Sequence, residues 1–355
     1  MLALKFIFGI FALIGALDKI LGNRLKLGEE FEKGIVTVGT LAVAMVGMIC
    51  VAPTIASLCI PIFTPFCEMT GIDLSFLGGF IANDMGGASL AKELASSELL
   101  GAFHGLAVAS MMGVTVSFTI PVALKLTEEH YKKDVLFGIL SGVATIPVGT
   151  FVSGLIMKVP FNELILNLLP VIVLSLITCL GLIFKPDFSC KVFSGIGAAV
   201  TSVIIFGLAV GVFEYLTGIA LIKSMAPITE GFDVVVDIAI VLSGVFPLIA
   251  VISKLFKKLF VKIGDMAGLD ETSVLGFVSS VANSIPTFGS LGKMNSKGRI
   301  LNMAFAVSSA FVFGDHLAFT IAFDSSYVLP VIVGKLAGGI TAVIVAAIIA
   351  KKKCA

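Results

Sequence analysis

Polar residues that could bind a small ligand are concentrated in three short stretches of an otherwise apolar chain. The first contains Asn83 and Asp84, followed by Gly86 and Gly87. An ionisable residue in a membrane segment suggests a functional site, and adjacent glycines let the backbone unwind and expose its amides and carbonyls. We interpret Asn83 and Asp84 as substrate-binding and the two glycines as a gate or hinge. Alternatively, Asp84 only caps a following half-helix.

The second stretch contains Asn283, Ser284, Pro286 and Thr287. It has no carboxylate corresponding to Asp84. Its amide and hydroxyl groups are neutral donors and acceptors, which suit a substrate hydroxyl. We interpret the three polar residues as substrate-binding and Pro286 as a hinge. The alternative is a helix break whose polar groups are satisfied by its own side chains.

The third stretch, Gly314, Asp315 and His316, interrupts the apolar run 300–323. Two adjacent ionisable groups within a membrane span are costly unless they are used. Asp315 could neutralise a cation or accept a proton, and His316 could titrate near neutral pH. We interpret both as substrate-binding and Gly314 as a hinge, with a structural Asp–His hydrogen bond as the alternative.

The elements that position these residues must be membrane helices. The chain is 58% hydrophobic and 13% charged, against about 25% charged residues in soluble domains. Its solid apolar runs exclude the alternating pattern of a β-barrel. The net charge of +1 gives no sign of nucleic-acid binding. No phosphate loop, nucleophile elbow or metal cluster is recognisable, so we expect no cofactor, no metal and no enzyme activity.

One membrane unit occurs twice in the chain. Segments 71–84 and 268–284 both begin with Gly, an apolar residue and Asp, and both reach Ala-Asn and one polar residue. Residues 101–121 then align with 298–318 at a constant offset of 197. We expect a single transporter domain over residues 1–355, with one repeat at about 29–124 and another at about 230–323. Paired, interrupted segments of this kind are the best sequence pointer to a transporter's binding site.

The apolar runs predict about nine spanning helices and two re-entrant broken segments. If the two repeat segments are re-entrant, 19 of the 24 Lys and Arg lie on the cytoplasmic side, as the positive-inside rule requires. If both segments cross instead, the split is only 13 to 11. The charge distribution favours the re-entrant topology, with the N-terminus outside and the C-terminus cytoplasmic. The predicted spans lie near 2–21, 34–60, 101–124, 135–157, 162–184, 192–222, 232–256, 300–323 and 327–350.

This topology makes the two repeats inverted. Five predicted spans separate the start of the first repeat from the start of the second, and five is an odd number. The two broken segments therefore enter from opposite sides, and their tips are expected to meet near the midplane. Non-helical backbone at that depth is tolerated only inside protein or beside a water-filled cavity.

Three segments resemble the EutH family, the ethanolamine utilisation membrane proteins. They are GALDKILGNRLKLGEEFEKG (15–34), GGFIANDMGG (78–87) and AFAVSSAFVFGDHLAFT (304–320). The resemblance runs along nearly the whole chain. It implies a permease for ethanolamine in the inner membrane, serving a cytoplasmic pathway that degrades ethanolamine. It assigns no role to any individual residue.

The polar stretches suit that substrate. Ethanolamine is an ammonium ion at neutral pH, by analogy with Lys, whose pKa is about 10.4. A carboxylate, Asp84 or Asp315, could bind the ammonium, and neutral polar groups could bind the hydroxyl. Two other functions stay open: an ion-coupled carrier of another small polar solute of the nucleoside-like kind, and an intramembrane enzyme using Asp315 and His316. We expect the substrate and the lipid bilayer as partners, no nucleic acid, and leave a homo-oligomer open.

Overall fold

The computed structural model describes residues 2–81 and 86–354, and this part of the chain is helical without any strand. Three π-helical segments occur, Ala42–Val46, Phe103–Gly113 and Thr115–Thr119. The α-helices are α1 Leu2–Ile20, α2 Leu27–Leu41, α3 Gly47–Thr70, α4 Phe76–Ile81, α5 Gly87–Leu94, α6 Glu98–Ala102, α7 Ile120–Leu126, α8 Lys132–Val143, α9 Ile146–Ile156, α10 Phe161–Phe184, α11 Pro186–Thr217, α12 Ile228–Met266, α13 Glu271–Ala282, α14 Ile285–Ser290, α15 Ser296–Ser309, α16 Asp315–Asp324 and α17 Val328–Cys354.

The protein is a helical, multi-pass membrane protein. Within the described residues, seven helical stretches are long and apolar enough to cross a membrane. Large apolar side chains on the outer helices, such as Leu176 on α10 and Phe206 on α11, are exposed, as expected where lipid is the solvent. The seven stretches are Leu27–Thr70, Glu98–Leu126, Glu129–Ile156, Phe161–Phe184, Pro186–Thr217, Ile228–Met266 and Asp315–Ile349.

Each of the two repeat segments folds back on itself as a helical hairpin. We call residues 73–81 and 86–96, with α4 and α5, hairpin 1, and residues 270–295, with α13 and α14, hairpin 2. In hairpin 1, the backbone N–H and the hydroxyl of Ser96 donate to Asp73 Oδ2, at 3.0 and 2.5 Å. In hairpin 2, the Asn295 N–H donates to Asp270 Oδ2 at 2.6 Å. Both ends of each segment therefore lie together, which is the geometry that the re-entrant prediction requires.

Two of the nine predicted spans are interrupted in the structure, and a third, the predicted span at 2–21, corresponds to α1, which is not among the seven apolar stretches. The run 135–157 is divided between α8 and α9 at residues 144–145. The run 300–323 was expected to be one continuous span, and this expectation is wrong, because residues 310–314 are unwound between α15 and α16. The unwound backbone is tolerated because two of its N–H groups donate to carbonyls at the end of α13.

Small residues bring the central helices close together. α2 and α12 run antiparallel, since Gly34 contacts Ser243 and Gly231 contacts Val46. On the other side of the core, Gly149 of α9 contacts Gly334 and Gly338 of α17. Small residues allow this close backbone approach between membrane helices, where the hydrophobic effect contributes little to association.

Candidate functional site

At the tip of hairpin 2 the helix is broken at the position that the sequence predicted. α13 ends at Ala282 and α14 begins at Ile285, with Pro286 in its first turn, a position where the missing proline N–H is not needed. The Asn283 Oδ1 accepts from the Ile285 N–H at 2.9 Å, and the Ser279 hydroxyl donates to the Asn283 carbonyl at 3.3 Å. Asn283 therefore satisfies part of the break locally, as the alternative interpretation expects.

The other two polar tip residues differ in their surroundings. The Thr287 hydroxyl donates to the Gly276 carbonyl at 2.9 Å and accepts from the Ser280 hydroxyl at 3.0 Å. Thr287 thus joins α13 to α14 and is engaged within the hairpin. The Ser284 hydroxyl is buried and has no hydrogen-bond partner among the described residues. Because a buried hydroxyl is costly to leave unpaired, Ser284 is the stronger candidate for ligand contact.

The unwound segment 310–314 is hydrogen-bonded to this tip. The Phe311 N–H donates to the Ser280 carbonyl at 2.9 Å, and the Phe313 N–H donates to the Val281 carbonyl at 2.8 Å. Phe311 has a φ of +60°, which a phenylalanine rarely adopts and which the surrounding contacts must impose. Gly314 lies so close to Ala282 that a methyl group there would overlap the Ala282 carbonyl oxygen.

Asp315 and His316 follow directly at the start of α16. Asp315 is half-buried in the first turn of the helix, where a negative charge is stabilised by the helix dipole. The His316 ring is buried, with its centroid 5.3 Å from that of Phe311. Asp315 and Asn283 are each one residue from the Gly314–Ala282 contact. The structure thus brings the second and third polar stretches together.

The first polar stretch is described only in part. Asn83 and Asp84 lie outside the described residues. Gly86 and Gly87 are both buried, and Gly87 begins α5. A methyl group at Gly86 would lie 3.0 Å from the Met48 side chain, so a close approach to α3 explains this glycine. The hinge role of the pair stays a prediction.

Lys335 is the intramembrane residue that sequence reasoning missed. It is fully buried on α17, and its Nζ donates to the Ser110 carbonyl of the π-helical segment Phe103–Gly113 at 2.6 Å. Its own carbonyl accepts from the Ser309 hydroxyl at 2.8 Å, and Ser309 immediately precedes the unwound segment. The sequence signal was present, since Lys335 is a single ionisable residue within the apolar run 327–350.

His104 and Asn167 form a second polar group, at the base of hairpin 1. The Asn167 Oδ1 lies 3.1 Å from the His104 Nε2 and accepts from the Asp73 N–H at 2.9 Å. Burial raises the pKa of the Asp73 carboxyl, but hydrogen bonds from Ser75 and Ser96 outweigh it and hold that pKa below its usual value. These hydrogen bonds hold hairpin 1 against α10, so the burial of these polar residues is explained by a structural role.

The cavities around the two hairpins differ in chemistry. One, of 650 Å³, lies between hairpin 2, α1 and α12 and is lined almost entirely by apolar residues such as Phe277 and Phe305, so it does not suit a cation. A cavity of 640 Å³ at the base of hairpin 1 has polar and charged groups in its wall as well as apolar ones. Its lining includes four acidic residues, Glu68, Asp73, Glu93 and Glu163. Within the described part of the chain, no group of side chains is arranged to hold a metal ion.

Comparison with known proteins identifies a family. Residues 3–349 match the family described as "Ethanolamine utilisation protein, EutH". The chain is 45% identical to a Listeria monocytogenes protein named "Probable ethanolamine permease EutH", over 95% of this chain and 90% of that protein. It is 34% identical to an Escherichia coli protein of the same name, over 99% of this chain and 95% of the other.

A further relative carries no functional name. It is the Bacillus subtilis protein YxeR, 41% identical over 97% of this chain and 94% of its own length. No solved structure matches the chain.

Proposed function

Because this chain belongs to the EutH family, we propose that it is an ethanolamine permease that carries the protonated substrate through a site between the tips of the two hairpins. Its relatives from Listeria monocytogenes and Escherichia coli are named as probable permeases for this compound. The neutral amine crosses lipid unaided, whereas the ammonium form does not do so readily. A carrier is therefore most useful where nearly all the substrate is protonated.

One observation carries the proposal. The unwound segment 310–314 is hydrogen-bonded to the tip of hairpin 2 and delivers Asp315 to it. Unwound backbone at membrane depth supports a site that is enclosed by protein or opens to water, and helix breaks of this kind form the binding sites of many transporters. Asp315 supplies a carboxylate for the ammonium, while Ser284 and Asn283 supply neutral groups for the hydroxyl.

The acidic cavity at the base of hairpin 1 supports a cationic substrate. Three glutamates, Glu68, Glu93 and Glu163, line it together with Asp73. A cavity lined by charges of one sign raises the local concentration of oppositely charged solutes. In the proposed topology this cavity faces the outside, so that it would attract ethanolammonium to the entrance.

The proposed orientation rests on charge. We place the protein in the inner membrane with the N-terminus outside and the C-terminus, which carries Lys351–Lys353, in the cytoplasm. Hairpin 1 then enters from outside and hairpin 2 from the cytoplasm. Cysteine labelling in whole cells tests this arrangement: a cysteine at Lys132 should resist a membrane-impermeant reagent.

Uptake by purified protein tests the proposed function. Proteoliposomes should accumulate labelled ethanolamine faster than protein-free liposomes at acidic pH, where leakage of the neutral amine is smallest. Unlabelled ethanolamine should compete, and uridine should not. Equal uptake with and without protein, or uptake of uridine in place of ethanolamine, would contradict the proposal.

A further inference from the structure

A separate cavity of 270 Å³ lies between α2, α12 and the tip of hairpin 2. We call it the access cavity. Its lining combines charged and aromatic side chains with polar groups of the hairpin tip. The lining residues used in the argument are Glu30 and Lys33 on α2, Phe246 on α12, and Ser279 and Asn283 of hairpin 2.

A primary ammonium group already occupies a favourable position in this cavity. The Lys33 Nζ lies 5.1 Å from the centroid of the Phe246 ring and 3.6 Å from the Glu30 Oε2. An aromatic face and a carboxylate are the two groups that together attract an alkylammonium ion. The Glu30 carboxylate lies in the first turn of α2, where the helix dipole also stabilises a negative charge. The dipole does not explain why the Phe246 ring lies beneath the Lys33 ammonium group.

The access cavity adjoins the proposed substrate site, because Asn283 of the hairpin 2 tip lines it. Hairpin 2 begins just after the end of α12, and the start of α2 lies beside Lys254 of α12, whose Nζ donates to the Leu25 carbonyl at 2.5 Å. Glu30 is near the start of α2, whereas Asn283 is at the hairpin tip. The Glu30 and Lys33 side chains are partly exposed to solvent, and residues of the hairpin tip line the same cavity.

We propose that the access cavity is a binding site for primary ammonium ions on the side from which hairpin 2 enters, where the substrate displaces the Lys33 ammonium from Glu30 and Phe246. The inference rests on the proposed function, since it takes ethanolammonium as the substrate. It adds a waiting position before the hairpin tip and makes Lys33 a built-in competitor of the substrate.

Flux measurements in both directions test the access site. Glu30→Gln should raise the KM about tenfold for flux that starts on the hairpin 2 side, because a charge-assisted contact is lost. Phe246→Leu should raise the same KM about threefold. Lys33→Met should lower it, since a competing cation is removed. The KM for flux in the other direction should stay within about twofold of wild type.

The matched control is Glu29→Gln. Glu29 precedes Glu30 but accepts from the Asn23 side chain at 2.6 Å, away from the cavity, so both KM values should match wild type. If Glu30→Gln and Glu29→Gln behave alike, or if the Glu30 variant changes both KM values equally, the access site is wrong even though ethanolamine transport stands.

Binding of labelled methylammonium to the purified protein separates the two proposals. Methylammonium has the ammonium group without the hydroxyl, so it should bind more weakly to Glu30→Gln and more tightly to Lys33→Met. Unchanged binding in both variants would overturn the access site. Failure of the wild type to transport ethanolamine would overturn the proposed function, and the methylammonium result would still judge the access site.

Discussion

Hairpin 1 and hairpin 2 begin with the same Gly–apolar–Asp sequence but are anchored in different ways. The base of hairpin 1 is buried, and Asn167 of α10 accepts from the Asp73 N–H there. The base of hairpin 2 is more exposed: Asp270 is only partly buried, and the neighbouring ion pair between Lys257 and Glu271 is solvent-exposed. Hairpin 1 is thus tied at its base to a third helix.

The hairpins also differ in the span that follows each of them. Hairpin 1 packs on the continuous helical stretch Glu98–Leu126, with Gly105 close to Ala88. Hairpin 2 packs on a span that is broken at 310–314, and its tip shares two backbone hydrogen bonds with the break. A displacement of the hairpin 2 tip must therefore move the start of α16 and Asp315. Within the described residues, matched sequences thus differ in one respect: hairpin 1 is tied to α10 at its base, and hairpin 2 is tied to the break at its tip.

Replacing the carboxylate beside hairpin 2 should have the largest effect. Asp315→Asn removes the described carboxylate at the break, and loss of one partner of a buried charge pair costs about 3–5 kcal/mol. We expect ethanolamine uptake at acidic pH to fall roughly a hundredfold or more. Asp84→Asn is the hairpin 1 counterpart. If both variants reach the membrane and transport like wild type, the carboxylate site is wrong.

Separating hairpin 2 from the break should have the next largest effect. In Gly314→Ala the added methyl group overlaps the Ala282 carbonyl oxygen, and such overpacking costs about 1–3 kcal/mol. Transport should fall at least tenfold, and the Tm in detergent should drop. Gly289→Ala is the control within hairpin 2, because a methyl group there meets nothing within 4 Å. Equal activity of the two variants would contradict coupling through the tip.

The two base carboxylates should contribute unequally to stability. Asp73→Asn weakens a buried group that accepts from both Ser75 and Ser96, which should cost about 2–3 kcal/mol. Asp270→Asn weakens a more exposed group. This substitution should lower the free energy of unfolding by only about 1 kcal/mol, because solvent screens the interactions of an exposed carboxylate. Thermal unfolding should show the larger fall in Tm for Asp73→Asn. A larger fall for Asp270→Asn would reverse the assignment of the fixed hairpin.

Lowering the pH within the range where uptake is measured should have the smallest effect, which is on the stability contributed by Asp73 and Asp270. Burial raises the pKa of Asp73 and of Asp270, but hydrogen bonds outweigh it and hold both pKa values below the usual 3.8. A lowered pKa means that the stabilisation is complete above the unfolded-state pKa and is lost as pH falls through the folded-state pKa. The amount by which these two carboxylates raise the Tm should therefore be constant from neutral pH down to about pH 5. A Tm difference between wild type and Asp73→Asn that disappears above pH 5 would contradict this.

Local features of the structure could be predicted from the sequence. The break between Ala282 and Ile285 was expected from Asn283, Ser284 and Pro286, and two of these act locally: Asn283 accepts from the nearby Ile285 N–H, and Pro286 lies in the first turn of α14. The unwinding of 310–314 was not predicted, since only Gly314 marks it in an apolar run. Its compensating hydrogen bonds come from Ser280 and Val281, about thirty residues earlier, which no local pattern reveals.

The sequence by itself determined the class of protein, most of its helices, the break in hairpin 2 and the family, because hydropathy, helix breakers and motifs are properties of contiguous residues. Only the tertiary structure decided how the polar groups are used. It placed Lys335 on the Ser110 carbonyl and Lys33 over the Phe246 ring. Each pairing stabilises a charge through a group on another helix, and the free energy of a charge in a membrane depends on such neighbours in space.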